Sequence, residues 1–157
     1  MKALRHIFSL LLPATALVII PACIEDDFHL SGLWTTIPGG LLICAGLAVM
    51  GKTIWMFIRI GKGTLAPWDP TRQMVVSGLY RYVRNPMILG ALTVLAGEAI
   101  LFTSWPIAVW AVAFFIVNTL YFIFSEEPGL EKRFGQAYLE YKKNVPRWIP
   151  RWRKRQN

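Results

Sequence analysis

Charged side chains are scarce in this chain. Asp, Glu, Lys and Arg make up 17% of its 157 residues, where an ordinary soluble domain carries about a quarter. The deficit points to lipid, not water, as the solvent for much of the surface. Acids are the rarer sign, 9 against 17 bases, for a net charge of +8. Cysteine is nearly missing. Cys23 and Cys44 make no disulfide framework and no Cys-x-x-Cys metal spacing, and both lie in apolar stretches where inert packing is expected. The two histidines, His6 and His29, flank one apolar run without a partner His or Cys, so no metal site is expected. There is no repeat, no low-complexity tract and no strand-like alternation.

What is present is apolar sequence, 55% of the residues, in one domain by length. Four runs are candidate membrane spans: residues 7–23, 33–58, 86–102 and 105–124. A helix needs about 20 residues to cross roughly 30 Å of hydrocarbon. The first and third runs are short and borrow flanking residues or thin the bilayer. The second is long enough to tilt, with Pro38-Gly39-Gly40 near its start as a place to bend. The fold class expected is an all-α polytopic membrane bundle of about four transmembrane helices, followed by an amphipathic C-terminal helix on the cytoplasmic side.

Direction follows from where the bases fall. Lys2 and Arg5 precede the first run; the others lie near the end of the second, in the loop 59–86, or after the fourth. The link between the first two runs carries Glu25, Asp26 and Asp27, and the turn Thr103-Ser104 carries no charge. Both termini and the central loop are therefore expected in the cytoplasm of a multi-pass protein of the cell membrane. Bases next to apolar spans fit this better than a nucleic-acid surface. Lys2, Arg5, an apolar run and Pro21-Ala22-Cys23 also have the outline of a lipoprotein leader, but cleavage would break the charge pattern. Trp34 and Trp105 mark the outer interface and Trp68, Trp148 and Trp152 the inner one. The tail Arg147-Trp148-Ile149-Pro150-Arg151-Trp152-Arg153-Lys154-Arg155 reads as an anchor on anionic lipid.

Two polar motifs sit at the inner face. The first is Gly78-Leu79-Tyr80-Arg81-Tyr82-Val83-Arg84-Asn85-Pro86. Pro fits the first helical position, Asn before it can cap, and the helix start presents the positive end of its dipole beside Arg81 and Arg84. An anion suits that place. The second motif begins at the end of the fourth run with Glu126-Glu127-Pro128, where Pro128 is able to open a new helix. It continues through Leu130, Phe134, Tyr138, Tyr141 and Val145 at helical spacing, a face that covers the bundle end or walls a pocket. A plain ion pair between Arg84 and Glu126 or Glu127 would close the bundle. Together the two ends also suit a zwitterion with an additional cation, which describes S-adenosylmethionine. Glu98 inside the third run is either functional or structural, bonded to Asn118 or Lys52.

The paired motifs Gly-x-Tyr-x-x-x-Arg-x-Pro and Glu-Glu-x-x-Leu-x-x-x-Phe-Gly-x-x-Tyr-x-x-Tyr resemble those of the membrane methyltransferases that include isoprenylcysteine carboxyl methyltransferases and phospholipid N-methyltransferases. The likeness covers about residues 65–150. It implies S-adenosylmethionine as cofactor, held by cytoplasmic elements 65–90 and 125–150, and a lipid or lipid-like substrate entering from the bilayer. Cofactor contacts carried over are Arg72, Gln73, Met74, Val75, Tyr80, Asn85, Pro86, Met87, Ile88, Glu126 and Glu127. Arg84 and Glu126 are expected to orient the cofactor, with Arg84 and Glu127 the catalytic pair and Glu127 able to accept a proton from an amine. The prenylcysteine enzymes have His at Asn85, Tyr at Ile88 and another His at Arg72, and their substrate-binding Arg is Phe122 here. The acceptor, a carboxyl oxygen or an amine nitrogen, stays open. Methyl transfer is expected as one in-line displacement, helped by proximity and exclusion of water. A membrane reductase using a nicotinamide cofactor, although the Gly-x-Gly-x-x-Gly fingerprint is missing, and a non-catalytic scaffold are the alternatives.

Overall fold

The computed structural model describes residues 11–56, 59–60 and 74–151. Among them are five helices and no strand: α1 (Leu11–Ile24), α2 (Leu33–Met56), α3 (Pro86–Leu101), α4 (Trp105–Phe134) and α5 (Gln136–Asn144). A short 3-10 turn, Gly78–Arg81, leads into α3. The expected all-α class holds. Arg72, Gln73, Trp68, His6 and the tail from Trp152 lie outside the described residues.

α2 and α4, at 24 and 30 residues, are long and apolar enough to cross a membrane, while α1 and α3 are shorter apolar helices. α3 is the centre of the bundle. Its small residues let a neighbour approach closely, and α2 lies antiparallel against it along a glycine seam. A Cβ on Gly39 would fall 2.8 Å from the Gly97 carbonyl oxygen, and one on Gly46 would fall 2.6 Å from that of Gly90. Close backbone contact through small residues is how helices associate where lipid supplies no hydrophobic drive. Leu17 of α1, Met50 of α2, and Ala91, Val94 and Leu95 of α3 form the core, with Trp110 and Phe114 of α4 packed on it. The Trp110 indole N–H donates to Ala16 O at 2.9 Å, tying α4 to α1.

The outward faces are apolar. Leu33, Leu41, Val112, Ile116 and Phe124 are exposed, as are Trp34 (94%) and Trp105 (77%) at the non-basic end. Water would disfavour such a surface, whereas a bilayer accepts it. Cys23 and Cys44 lie on it as free, exposed thiols, so the packing expected of them is not what the bundle uses.

The structure differs from the sequence-based expectation at two element ends and at Glu98. α4 does not stop for Pro128. It runs on to Phe134 through a π turn, Phe122–Glu126, where the Glu127 N–H reaches back to Phe122 O. The widened turn relieves the clash a proline ring makes with the carbonyl four residues earlier. The single C-terminal amphipathic helix is instead two, because Gly135 takes φ 55° and ψ −131° between Phe134 and Gln136. Glu98 bonds neither Asn118 nor Lys52: the Asn118 amide donates to Phe114 O at 2.8 Å, Lys52 is exposed, and Glu98 Oε2 is enclosed without a partner.

Candidate functional site

The start of α3 and the exit of α4 meet at one end of the bundle. Pro86 occupies the first helical position as expected. Asn85 caps with its carbonyl, which accepts from Leu89 N–H at 3.1 Å, and not with its side chain. The reason is local: Asn85 has φ −122° and ψ 61°, outside the β-region geometry from which a side chain bonds the first amides. Its Nδ2 is left enclosed and unpartnered, as is Nε of Arg84.

Glu127 is the electrostatic centre of this end. Arg84 Nη1 donates to its Oε1 at 2.9 Å and Arg147 Nε to the same oxygen at 2.7 Å, while Lys142 Nζ lies 3.1 Å from Oε2. Lys142 also donates to Glu131 at 2.6 Å. Burial alone would raise the Glu127 carboxyl, but the bonds from Arg147 and Lys142 and the charge of Arg84 outweigh it and hold it below its ordinary value. Glu126 is the opposite case. Burial raises its carboxyl, more than the long bond from the Tyr121 hydroxyl (3.4 Å) and the charge of Arg133 lower it. Two adjacent carboxyls are thus shifted in opposite directions, Glu127 down and Glu126 up.

α5 and the segment after it are bonded to the chain that leads into α3. Tyr141 OH donates to Tyr80 O at 2.7 Å, Arg84 N–H to Pro146 O at 2.9 Å, and Arg151 N–H to Tyr82 O at 3.1 Å. Trp148 rests on Phe115 and Phe122 of α4, with ring centroids 5.2 and 6.0 Å away.

These elements surround a cavity of about 540 Å³, within the range of about 300–1,000 Å³ usual for small-molecule and cofactor sites. Of the carried-over cofactor contacts, Met74, Val75, Tyr80, Asn85, Met87, Ile88, Glu126 and Glu127 line it, and so does Arg84, expected to orient the cofactor. Pro86 is buried behind the wall, and Arg81 is exposed and takes no part. The periodic residues Leu130, Phe134, Tyr138 and Tyr141 line it as well, so that face walls a pocket.

Sequence reasoning named Glu126 but not the row on α4 that leads to it. Trp110, Phe114, Asn118, Phe122 and Glu126 all face the cavity at intervals of four. Such a row drifts by about 40° per step on an α-helix, and the π turn, which winds less per residue, takes some of that drift back. The four-residue recurrence of aromatic and polar types was the available signal. Leu12, Thr15, Ala16 and Ile20 of α1 form the opposite wall. Leu12 (51%) and Val117 (62%) are exposed on the outer surface yet line the cavity, so it opens sideways between α1 and α4.

An apolar bundle whose cavity joins a charged end to a lateral opening has the shape that would let a polar small molecule meet an apolar one. A family model described as phospholipid methyltransferase matches residues 29–137. Two relatives from Arabidopsis thaliana are similar as well. Protein-S-isoprenylcysteine O-methyltransferase A is 29% identical over 153 residues, covering 94% of this chain and 73% of the relative. Protein-S-isoprenylcysteine O-methyltransferase B is 29% identical over 122 residues, 76% of this chain and 57% of the relative. The chain belongs to the phospholipid methyltransferase family. That makes it a membrane methyltransferase, and S-adenosylmethionine is the methyl donor of its family.

The residues present fit that donor. Arg84 and Asn85 offer donors for its carboxylate, two of them enclosed and unpartnered. Glu126 offers an acceptor for its ammonium, and the rings of Phe134, Tyr138 and Tyr141 offer flat apolar surface for its base.

Proposed function

We propose that the chain crosses the membrane four times and methylates an amine-bearing lipid at the cytoplasmic face. The single observation that carries this is the cavity, which has a charged end at the meeting of α3 and α4 and an apolar part that opens to lipid. Its basic surroundings, Arg84, Arg133, Lys142 and Arg147, agree with a cytoplasmic location.

S-adenosylmethionine supplies the methyl group as an electrophilic carbon on a sulfonium. The protein's own part is to hold the two reactants together and keep water out. Arg84 and Asn85 bind the donor's carboxylate. The α4 row of Trp110, Phe114 and Phe122 lines the path of the acceptor's chain. An amine is favoured over a carboxyl because the cations that line the cavity among the described residues lie at its charged end, Arg84 beside Glu127 and Arg133 beside Glu126 and Phe134, while Phe122 stands in the acceptor region. A protonated amine must first lose its proton, so that the nitrogen lone pair can form the N–C bond as the S–C bond breaks and the donor leaves as a thioether. Glu126, raised by burial, is suited to take that proton. Glu127, held low by three cations, is not, so its role shifts from proton acceptor to anchor.

The test is incubation of the purified chain with methyl-labelled S-adenosylmethionine and membrane lipid. Base-stable label in lipid supports the amine reading. Base-labile label would replace it with a carboxyl ester, and no transfer to any lipid pool would remove the lipid acceptor.

A further inference from the structure

A lone guanidinium and carboxylate normally close as a bidentate pair, with two parallel bonds. Arg84 and Glu127 do not: a single bond joins them, from Arg84 Nη1 to Oε1 at 2.9 Å. Two other cations explain why. Lys142 Nζ holds Oε2 at 3.1 Å, and Arg147 Nε shares Oε1 at 2.7 Å. Arg84 is therefore restrained, with the Tyr138 hydroxyl a further neighbour, and its Nε has no protein partner although it is enclosed. The backbone fixes the same arrangement, since Arg84 N–H bonds to Pro146 O beside Arg147.

The geometry points to Lys142 and Arg147 as positioning residues. By occupying both oxygens of Glu127, Lys142 on Oε2 and Arg147 on the Oε1 that Arg84 also uses, they stop it from capturing the whole Arg84 guanidinium, which stays directed to a carboxylate ligand in the cavity. Neither residue lines that cavity, whereas Arg84 and Glu127 both do. The C-terminal segment, which is remote in sequence from the start of α3, thereby sets the affinity for the methyl donor. This rests on the reading of Arg84 as the donor's carboxylate contact.

The experiment compares the full chain in detergent with its R147Q, K142Q, R147K and R84Q variants. It measures calorimetric binding of S-adenosylmethionine and the KM and kcat of methyl transfer. R147Q and K142Q are expected to weaken binding and raise KM about tenfold, the size of one lost charge-assisted bond, with kcat within about twofold. R147K is expected to recover most of the affinity. R84Q combined with R147Q is expected to bind no worse than R84Q alone, because the two act through one contact. Should R147Q not fold, K142Q, at the partly exposed lysine, carries the test. Parent-like KM in the folded glutamine variants would overturn the inference, as would a fall in kcat matching the rise in KM. R84Q binding like the parent would instead overturn the reading of Arg84, and a parent that binds no donor would remove both.

Discussion

Arg84 and Glu127 stand 43 positions apart in the chain and 2.9 Å apart in space. One precedes the first turn of α3 and the other follows the apolar part of α4, so this contact fastens together the two helix ends that shape the cavity. Both side chains are almost fully enclosed, at 11% and 5% exposure. A buried charge that loses its partner is costly, and the contact is therefore the most sensitive point of the basic end.

Replacing Glu127 with Gln leaves Arg84, Lys142 and Arg147 without their shared anion. The expected loss is on the order of 3 kcal/mol of stability at neutral pH, the usual cost of breaking a buried pair on one side. Thermal unfolding in detergent measures it. Limited proteolysis should also show earlier cleavage after Asn144, where the segment is held by Arg147.

The same carboxyl predicts an acid limb. Its folded value lies below the ordinary one, so the unfolded chain binds the proton more readily. The stability Glu127 contributes is complete above the ordinary carboxylate range and is lost as pH falls through the lowered folded value. Unfolding midpoints recorded from neutral pH downward should show this loss in the parent, and Glu127→Gln should flatten it.

Glu126 carries the opposite sign. With its carboxyl raised by burial, methyl transfer to an amine should fall as pH drops through that raised value, at a pH above the ordinary carboxylate range. Glu126→Gln should remove this limb and lower kcat by about 100-fold, the low end of general-base contributions. The pH profile of kcat is the measurement.

The glycine seam and the lateral opening give two contrasts. Gly46→Ala places a methyl 2.6 Å from Gly90 O and should cost about 1–3 kcal/mol, whereas Gly40→Ala meets nothing within 4 Å and should be neutral or slightly stabilising. Val117→Trp, at the opening between α1 and α4, should raise KM for a long-chain acceptor while leaving a short-chain analogue unaffected. Thermal melts and acceptor titrations check the two in turn.

Much of this was legible in the sequence because bilayers and helix ends impose simple rules. Apolar runs gave four of the five helices, Pro86 marked the start of α3, and eight of the eleven carried-over cofactor contacts line one cavity. What escaped was set by tertiary context. Asn85 has a capping side chain, but its backbone angles deny it that use. Pro128 reads as a helix start, yet a π turn lets α4 continue through it. Arg147 and Lys142 look like ordinary interfacial bases, and only the folded chain brings them to Glu127. Glu126 and Glu127 are neighbours of one chemical type, and their opposite environments depend on which cations arrive from α5 and beyond.

The most direct measurement is calorimetric titration of S-adenosylmethionine into the detergent-purified chain and into its Arg84→Ala and Glu126→Ala variants. Enclosure of a charged nucleoside between the two helix ends predicts saturable one-to-one binding by the parent, weakened about tenfold or more by either substitution. Binding that is absent in the parent, or unchanged in both variants, would contradict it.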